Sequence, residues 1–87
     1  MPFEYDPAKS AANKVKHGID FEEALAVWAD QGILHIPARS DREERTMAIG
    51  RIGPVHWAVI WTWRGDSVRI VSARRARKEE VRLYEHS

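Results

Sequence analysis

The chain has 87 residues, which suffices for one domain with a single small core, and it contains no cysteine, which excludes disulfides and thiolate metal sites. Its net charge of +1 is unevenly distributed, because residues 1–44 carry −4 and residues 45–87 carry +5; a basic half suits a polyanion such as nucleic acid, although chance clustering gives the same pattern. No signal-peptide pattern opens the chain and no apolar run could cross a membrane, so we expect a cytoplasmic protein without membrane contact.

The first elements predicted are a short edge strand and a helix. Residues 3–5 alternate apolar and polar side chains, as a strand does. Asp6 and Pro7 are typical of a helix start, and Gly18 of a helix end, so the helix extends to about Lys16. One face of this helix carries its apolar residues and is expected to be buried: Ala8, Ala11, Ala12 and Val15.

A second helix is predicted directly after the first. Asp20 and Glu23 have the spacing of a capping box, in which each side chain binds the backbone N–H of the other residue. The apolar stripe of this helix is formed by Phe21, Ala24, Leu25 and Trp28. Because only a few residues separate the two helices, we expect a compact helical hairpin.

From Ile33 onward the hydrophobic pattern has a period of two. It predicts strands over residues 33–37, 45–52, 55–63 and 67–75. Short turns at Gly53-Pro54 and at residues 64–66 join the last three strands into an antiparallel meander, and residues 79–84 predict a final helix. The predicted fold class is therefore α+β, a single domain over residues 1–87 with two N-terminal helices, an antiparallel meander of three or four strands, and a C-terminal helix, with the helices on one face.

Motifs throughout the chain resemble those of the BrnT toxin family. In the first half they are Asp6-Pro7-Ala8-Lys9, Asn13, Lys16-His17-Gly18-Ile19, Phe21 and Glu23-Ala24. In the second half they are Glu44-Arg45, Ile49-Gly50, Val68-Arg69-Ile70-Val71-Ser72-Ala73-Arg74, Glu79-Glu80 and Tyr84-Glu85. The chain departs from the usual family residues at Trp28, Gln31 and Arg75, and none of these departures removes a candidate functional group.

The resemblance implies a RelE-like fold and a toxin of a type II toxin–antitoxin system. Such a toxin would inhibit translation by cleaving RNA without a metal ion or other cofactor. Its partner would be a BrnA-like antitoxin with a ribbon-helix-helix part, in a 2:2 heterotetramer that binds operator DNA. Two alternatives remain from the residues: a non-enzymatic module that binds nucleic acid or antitoxin, and a binder of duplex nucleic acid.

Metal-independent RNA cleavage needs a base for the 2′-hydroxyl, an acid for the leaving 5′-oxygen, and cations for the charge on the phosphorane. Arginine binds phosphate through its planar fork of donors. Arg69, Arg74 and Arg75 are candidates, and strict alternation places Arg69 and Arg75 on one strand face and Arg74 on the other. Arg45 and Arg51 share a face about 20 Å apart, too far to contact one phosphate. Ion pairs with nearby acidic residues are the alternative role for these arginines.

The remaining candidates are a histidine, a lysine and two aromatic residues. His17 is the preferred acid–base residue, because histidine exchanges protons near neutral pH, although a histidine at a helix end also caps carbonyl groups. Tyr84 would donate a proton or stack on a base, and Lys16 would bind phosphate. Trp63 belongs to a stripe typical of a core, but near its turn it would contact RNA or the antitoxin. The other histidines show no ligand spacing, so no metal site is predicted.

Overall fold

The computed structural model describes residues 2–87. In chain order the elements are β1 (Phe3–Glu4), α1 (Pro7–His17), α2 (Phe21–Ala24), a 3-10 helix (Leu25–Ala29), β2 (Leu34–Ala38), β3 (Arg45–Ile52), β4 (Val55–Arg64), β5 (Ser67–Arg75) and α3 (Lys78–Glu85). The helix caps predicted from the sequence are confirmed. Asp6 accepts hydrogen bonds from the first turn of α1, Gly18 ends that helix in the left-handed conformation with φ 78°, and Asp20 forms the capping box of α2.

The sheet has five strands in the order β1-β5-β4-β3-β2 and is mixed. The prediction of an antiparallel meander of three or four strands is therefore wrong. The meander β3-β4-β5 is present, but β2 extends it on one side and β1 pairs parallel to β5 on the other. A hairpin turn sets the direction of its strands, whereas β1 is connected to the next strand through α1, α2 and the 3-10 helix, so its direction depends on where those helices pack.

Helices cover both faces of the sheet, so the prediction that they share one face is also wrong. The core between the sheet, α2 and the 3-10 helix contains Phe21, Val27, Ala48, Val59 and Ile70. Ile49 and Ala58 alternate with this set and lie on the opposite face, yet they are fully buried. The C-terminal helix α3 lies against that second face, beside β3.

The buried face of α1 is polar, which contradicts the predicted apolar face. Ser10 and Asn13 are its buried residues, whereas Val15 is 89% exposed. The Asn13 amide donates to the carbonyl of Ala73 at 2.8 Å and accepts from the Ala73 N–H at 3.3 Å. Asn13 thus forms hydrogen bonds with backbone groups of β5 beyond the residues that pair with β1. Satisfying these groups stabilises the fold more than burying the small alanine side chains of α1 would.

An irregularity in β5 changes which of its residues share a face. Between Ile60 and Trp61 of β4 the pairing register with β5 shifts by one residue. Val68, Ile70 and Ala73 consequently all reach the core, which strict alternation forbids. The bulge therefore corrects the predicted faces: Arg74 now shares a face with Arg69.

Candidate functional site

The four arginines predicted to be catalytic lie on one face of the sheet, which we call the arginine face and define by Arg45, Arg51, Arg69 and Arg74. A Cβ added to Gly50 would lie 2.9 Å from the Val27 Cβ, so Gly50 faces the 3-10 helix and Arg51 faces away from it. Arg45 lies six residues before Arg51 in β3, so alternation places both side chains on the same face. Arg69 and Arg74 join this face because the bulge lies between them.

One end of the arginine face holds Arg45 and Arg69, on either side of Thr62 of β4. Arg69 is paired with Thr62, whose hydroxyl donates to the Glu44 carbonyl at 2.7 Å, next to Arg45. A single strand thus separates the two arginines, which corresponds to about 10 Å. Each also forms an ion pair, Arg45 with Glu43 at 3.3 Å and Arg69 with Glu4 at 3.1 Å.

These two ion pairs are partly open to water. Their side chains are between 28% and 38% exposed, so each pair contributes only about 0–1 kcal/mol to stability. A phosphate approaching this end would compete with a carboxylate held by a weak interaction. The arrangement is therefore compatible with anion binding.

The other end of the arginine face combines a cation, an imidazole and a phenol. Arg51 is paired with His56 across the hairpin, and the His56 ring contacts the Tyr84 ring edge-on with centroids 5.0 Å apart. The Tyr84 hydroxyl donates to Asp30 at 2.7 Å, and the Arg51 backbone N–H donates to the same carboxylate oxygen at 2.8 Å. Arg51, Asp30 and Tyr84 border an open depression of about 370 Å³.

This hydrogen bonding fixes the charge states of Asp30 and Tyr84. The Tyr84 hydroxyl, together with the N–H groups of Arg51 and Gly32, lowers the pKa of Asp30. In return, the Asp30 carboxylate raises the pKa of Tyr84. At neutral pH Asp30 is therefore anionic and Tyr84 is a phenol, which can donate a hydrogen bond but cannot serve as a base.

Arg74 has a different environment from the other three arginines. Its guanidinium binds Glu80 of α3 through two hydrogen bonds of 2.7 and 2.8 Å, in the bidentate geometry that suits a carboxylate. The Arg74 and Glu80 side chains are only 21% and 11% exposed. The pair attaches α3 to β5, so Arg74 has a structural contact that a phosphate would have to replace.

The other predicted site residues lie away from the arginine face. His17 and Lys16 border a cleft beside Val71 and Ser72, at the α1 side of β5. Arg75 is exposed and is paired with Trp57. The Trp57 side chain lies on the sheet face that α2 and the 3-10 helix cover, which is opposite to the arginine face. Trp63 is 56% exposed and stacks edge-on against Trp61, also on the core face. No hydrogen bond or ion pair within residues 2–87 connects His17 to the arginine face.

His56 is the site residue that the sequence analysis missed. The signal was present in the Gly53-Pro54 turn, because a two-residue turn places Ile52 opposite Val55 and hence Arg51 opposite His56. Among residues 2–87, no group of three or more histidine, aspartate or glutamate side chains is arranged to hold a metal ion. No helix in that range is long and apolar enough to span a membrane.

Comparison with known proteins identifies the family. No curated protein matches the chain. A family model matches residues 5–80, and its description is the ribonuclease toxin, BrnT, of a type II toxin–antitoxin system. That description implies an RNA target and a protein antitoxin as partner. Since the match covers most of the chain, the protein belongs to the BrnT family of ribonuclease toxins of type II toxin–antitoxin systems.

Proposed function

We propose that this toxin is a metal-independent endoribonuclease that binds a single RNA strand across the arginine face. One observation carries the proposal: Arg45, Arg51 and Arg69 share a sheet face with an imidazole and a phenol at one end. The two ends would contact different phosphates, several nucleotides apart, because Arg45 and Arg51 lie about 20 Å apart along β3.

Cleavage takes place at the end that contains His56. The His56 imidazole takes the proton of the ribose 2′-hydroxyl, whose oxygen attacks the neighbouring phosphorus. The bond from phosphorus to the 5′-oxygen breaks, that oxygen takes a proton from water, and the hydroxide that remains accepts the proton held by the His56 imidazolium. The products are a 2′,3′-cyclic phosphate and a 5′-hydroxyl. Arg51 stabilises the charge of the phosphorane through its guanidinium donors.

Tyr84 and Asp30 act as positioning residues in this scheme. Tyr84 packs on the His56 ring and is itself held by Asp30, which also binds the backbone of Arg51. The Asp30 carboxylate thus fixes both the strand that carries Arg51 and the ring that supports His56. Preorganisation of this kind avoids reorientation of the groups during the reaction.

The proposal includes a biological setting. The toxin acts in the cytoplasm as a RelE-like inhibitor of translation, neutralised by a BrnA-type ribbon-helix-helix antitoxin. The two chains form a 2:2 complex that binds operator DNA. The shared family description, a ribonuclease toxin with an antitoxin, supports this setting.

A comparison of three histidine variants tests the proposal. The purified chain, free of antitoxin, is incubated with end-labelled RNA in excess EDTA beside His56→Ala, His17→Ala and the control His86→Ala. We expect cyclic-phosphate ends from the parent and from His86→Ala, and a rate about 10²-fold or more lower for His56→Ala.

Each other outcome has a distinct meaning. Loss of cleavage in His17→Ala, with His56→Ala active, moves the acid–base role to the end of α1. Cleavage abolished by EDTA contradicts metal independence. RNA that is bound stoichiometrically but left intact by the parent identifies a binding module and contradicts the enzymatic proposal.

A further inference from the structure

A large groove lies on the side of the molecule away from the His56 end of the arginine face. We call it the tryptophan groove and define it by Trp28, Trp61 and Trp63, the strand β2, and the loop of residues 39–44. Its volume of about 1030 Å³ is comparable to the volumes of pockets that bind ligands or peptide side chains. Arg45 also borders the groove, which therefore adjoins the end of the arginine face that holds Arg45 and Arg69.

The floor of the tryptophan groove is aromatic and internally satisfied. The Trp61 ring packs edge-on against Trp63, Trp28 and His35, with centroids 5.3, 6.3 and 5.6 Å apart. Its indole N–H donates to His35 Nδ1 at 3.3 Å, which requires an unprotonated imidazole nitrogen. Partial desolvation of the ring also lowers the pKa of His35, although the residue remains exposed at the groove surface. The floor is thus uncharged, while Trp63 remains 56% exposed as a contact surface.

The rim of the groove is acidic. The charged residues that border it are Asp41, Glu43, Glu44 and Arg45, and the Arg45 guanidinium already binds Glu43. The three carboxylates outnumber Arg45 at this rim, so the groove itself, unlike the adjoining arginine face with Arg69, does not suit a phosphate backbone even though its aromatic rings would stack on bases. It suits an apolar side chain flanked by lysine or arginine. In addition, β2 is the last strand of the sheet, and its outer edge has no neighbour within residues 2–87.

We propose that the tryptophan groove binds the neutralising segment of the antitoxin, which places an apolar or aromatic side chain against Trp61 and Trp63 and basic side chains at the acidic rim. The inference rests on the proposed toxin function, because it assumes that inhibition requires covering the RNA site. A segment in the groove lies beside Arg45 and covers that end of the arginine face. The antitoxin thereby blocks RNA without contacting His56.

Charge reversal at the rim tests this site. Asp41→Lys and Glu44→Lys change exposed loop residues, and Glu22→Lys on α2 is a control with the same charge change outside the groove. The dissociation constant of each variant with the purified cognate antitoxin is measured by calorimetry, and RNA binding and cleavage are measured on the same preparations. We expect antitoxin binding to be at least about 10-fold weaker for each rim variant, and within about twofold of the parent for Glu22→Lys.

A lysine at the rim would weaken the binding of a basic antitoxin segment but strengthen the binding of RNA, so the two affinities distinguish between these occupants of the groove. If the groove held RNA, a lysine at the rim would strengthen RNA binding and leave antitoxin affinity unchanged, and the inference would be overturned. Equal antitoxin affinity in the rim variants and in Glu22→Lys also overturns it. A parent that fails to cut RNA refutes the proposed nuclease, but weaker antitoxin binding by the rim variants would still support the docking site.

Discussion

Replacing Arg74 by alanine tests how α3 is attached to the sheet. The Arg74 guanidinium makes two hydrogen bonds to Glu80 and a third, of 3.1 Å, to the Arg75 carbonyl. With the guanidinium removed, the Glu80 carboxylate keeps its bond from the Arg77 N–H but loses its counter-charge in a site where it is 11% exposed. The variant therefore leaves a largely buried, uncompensated charge.

The expected loss of stability is about 3 kcal/mol. Hydrogen bonds to charged groups contribute about 1.5–3 kcal/mol each, and breaking a buried ion pair costs about 3–5 kcal/mol. Because water can enter beside Glu80 once the guanidinium is removed, we take the lower end of the second range. A domain of this size has a free energy of unfolding of about 5–15 kcal/mol, and each kcal/mol corresponds to about 4–8 °C in Tm. The Tm should consequently fall by about 12–24 °C.

Urea unfolding followed by tryptophan fluorescence measures this loss, with Arg75→Ala as the matched control. Arg75 is the exposed neighbour in the same strand, so its variant should lie within about 0.5 kcal/mol of the parent. Arg74→Lys keeps the charge without the fork and should lie between the two. Equal stabilities of Arg74→Ala and Arg75→Ala would refute the structural role of the pair.

The pH dependence provides an independent check on the same pair. Arg74 lowers the pKa of Glu80 from its ordinary value of 4.5. Because the folded pKa is lower than the unfolded one, the stabilisation is complete above about pH 4.5 and disappears as the pH falls through the folded value. The parent should lose more stability than Arg74→Ala between pH 7 and pH 3. Parallel pH profiles would contradict this coupling.

Three further substitutions test packing, each by chemical denaturation. Gly50→Ala should destabilise the fold by about 1–3 kcal/mol, because the new Cβ would lie 2.9 Å from the Val27 Cβ; an unchanged midpoint would show that the 3-10 helix moves freely. Asn13→Ala should cost about 2–3 kcal/mol, since it removes the bonds to the Ala73 backbone and to the Ile19 carbonyl; a loss below about 0.5 kcal/mol would contradict this role. Val15→Lys should change stability by less than about 0.5 kcal/mol, and a large loss would place Val15 in an interface.

Local interactions in the sequence determined the helix caps and the hairpin. Asp6, Asp20 and Gly18 act on backbone groups within a few residues, so their effects do not depend on the rest of the fold. The Gly53-Pro54 turn likewise sets the pairing of Arg51 with His56. Both the arginine-rich character of the site and one of its pairings were therefore readable from the chain.

Tertiary structure decided which of these residues act together. The bulge that brings Arg69 and Arg74 to one face depends on how β5 pairs with β4. The parallel pairing of β1 and the polar buried face of α1 depend on unsatisfied backbone groups at the edge of β5, which exist only once the sheet has formed. The period of the hydrophobic pattern in the sequence predicts which residues prefer to be buried. Backbone hydrogen bonding between distant segments determines on which face of a strand or helix those residues lie.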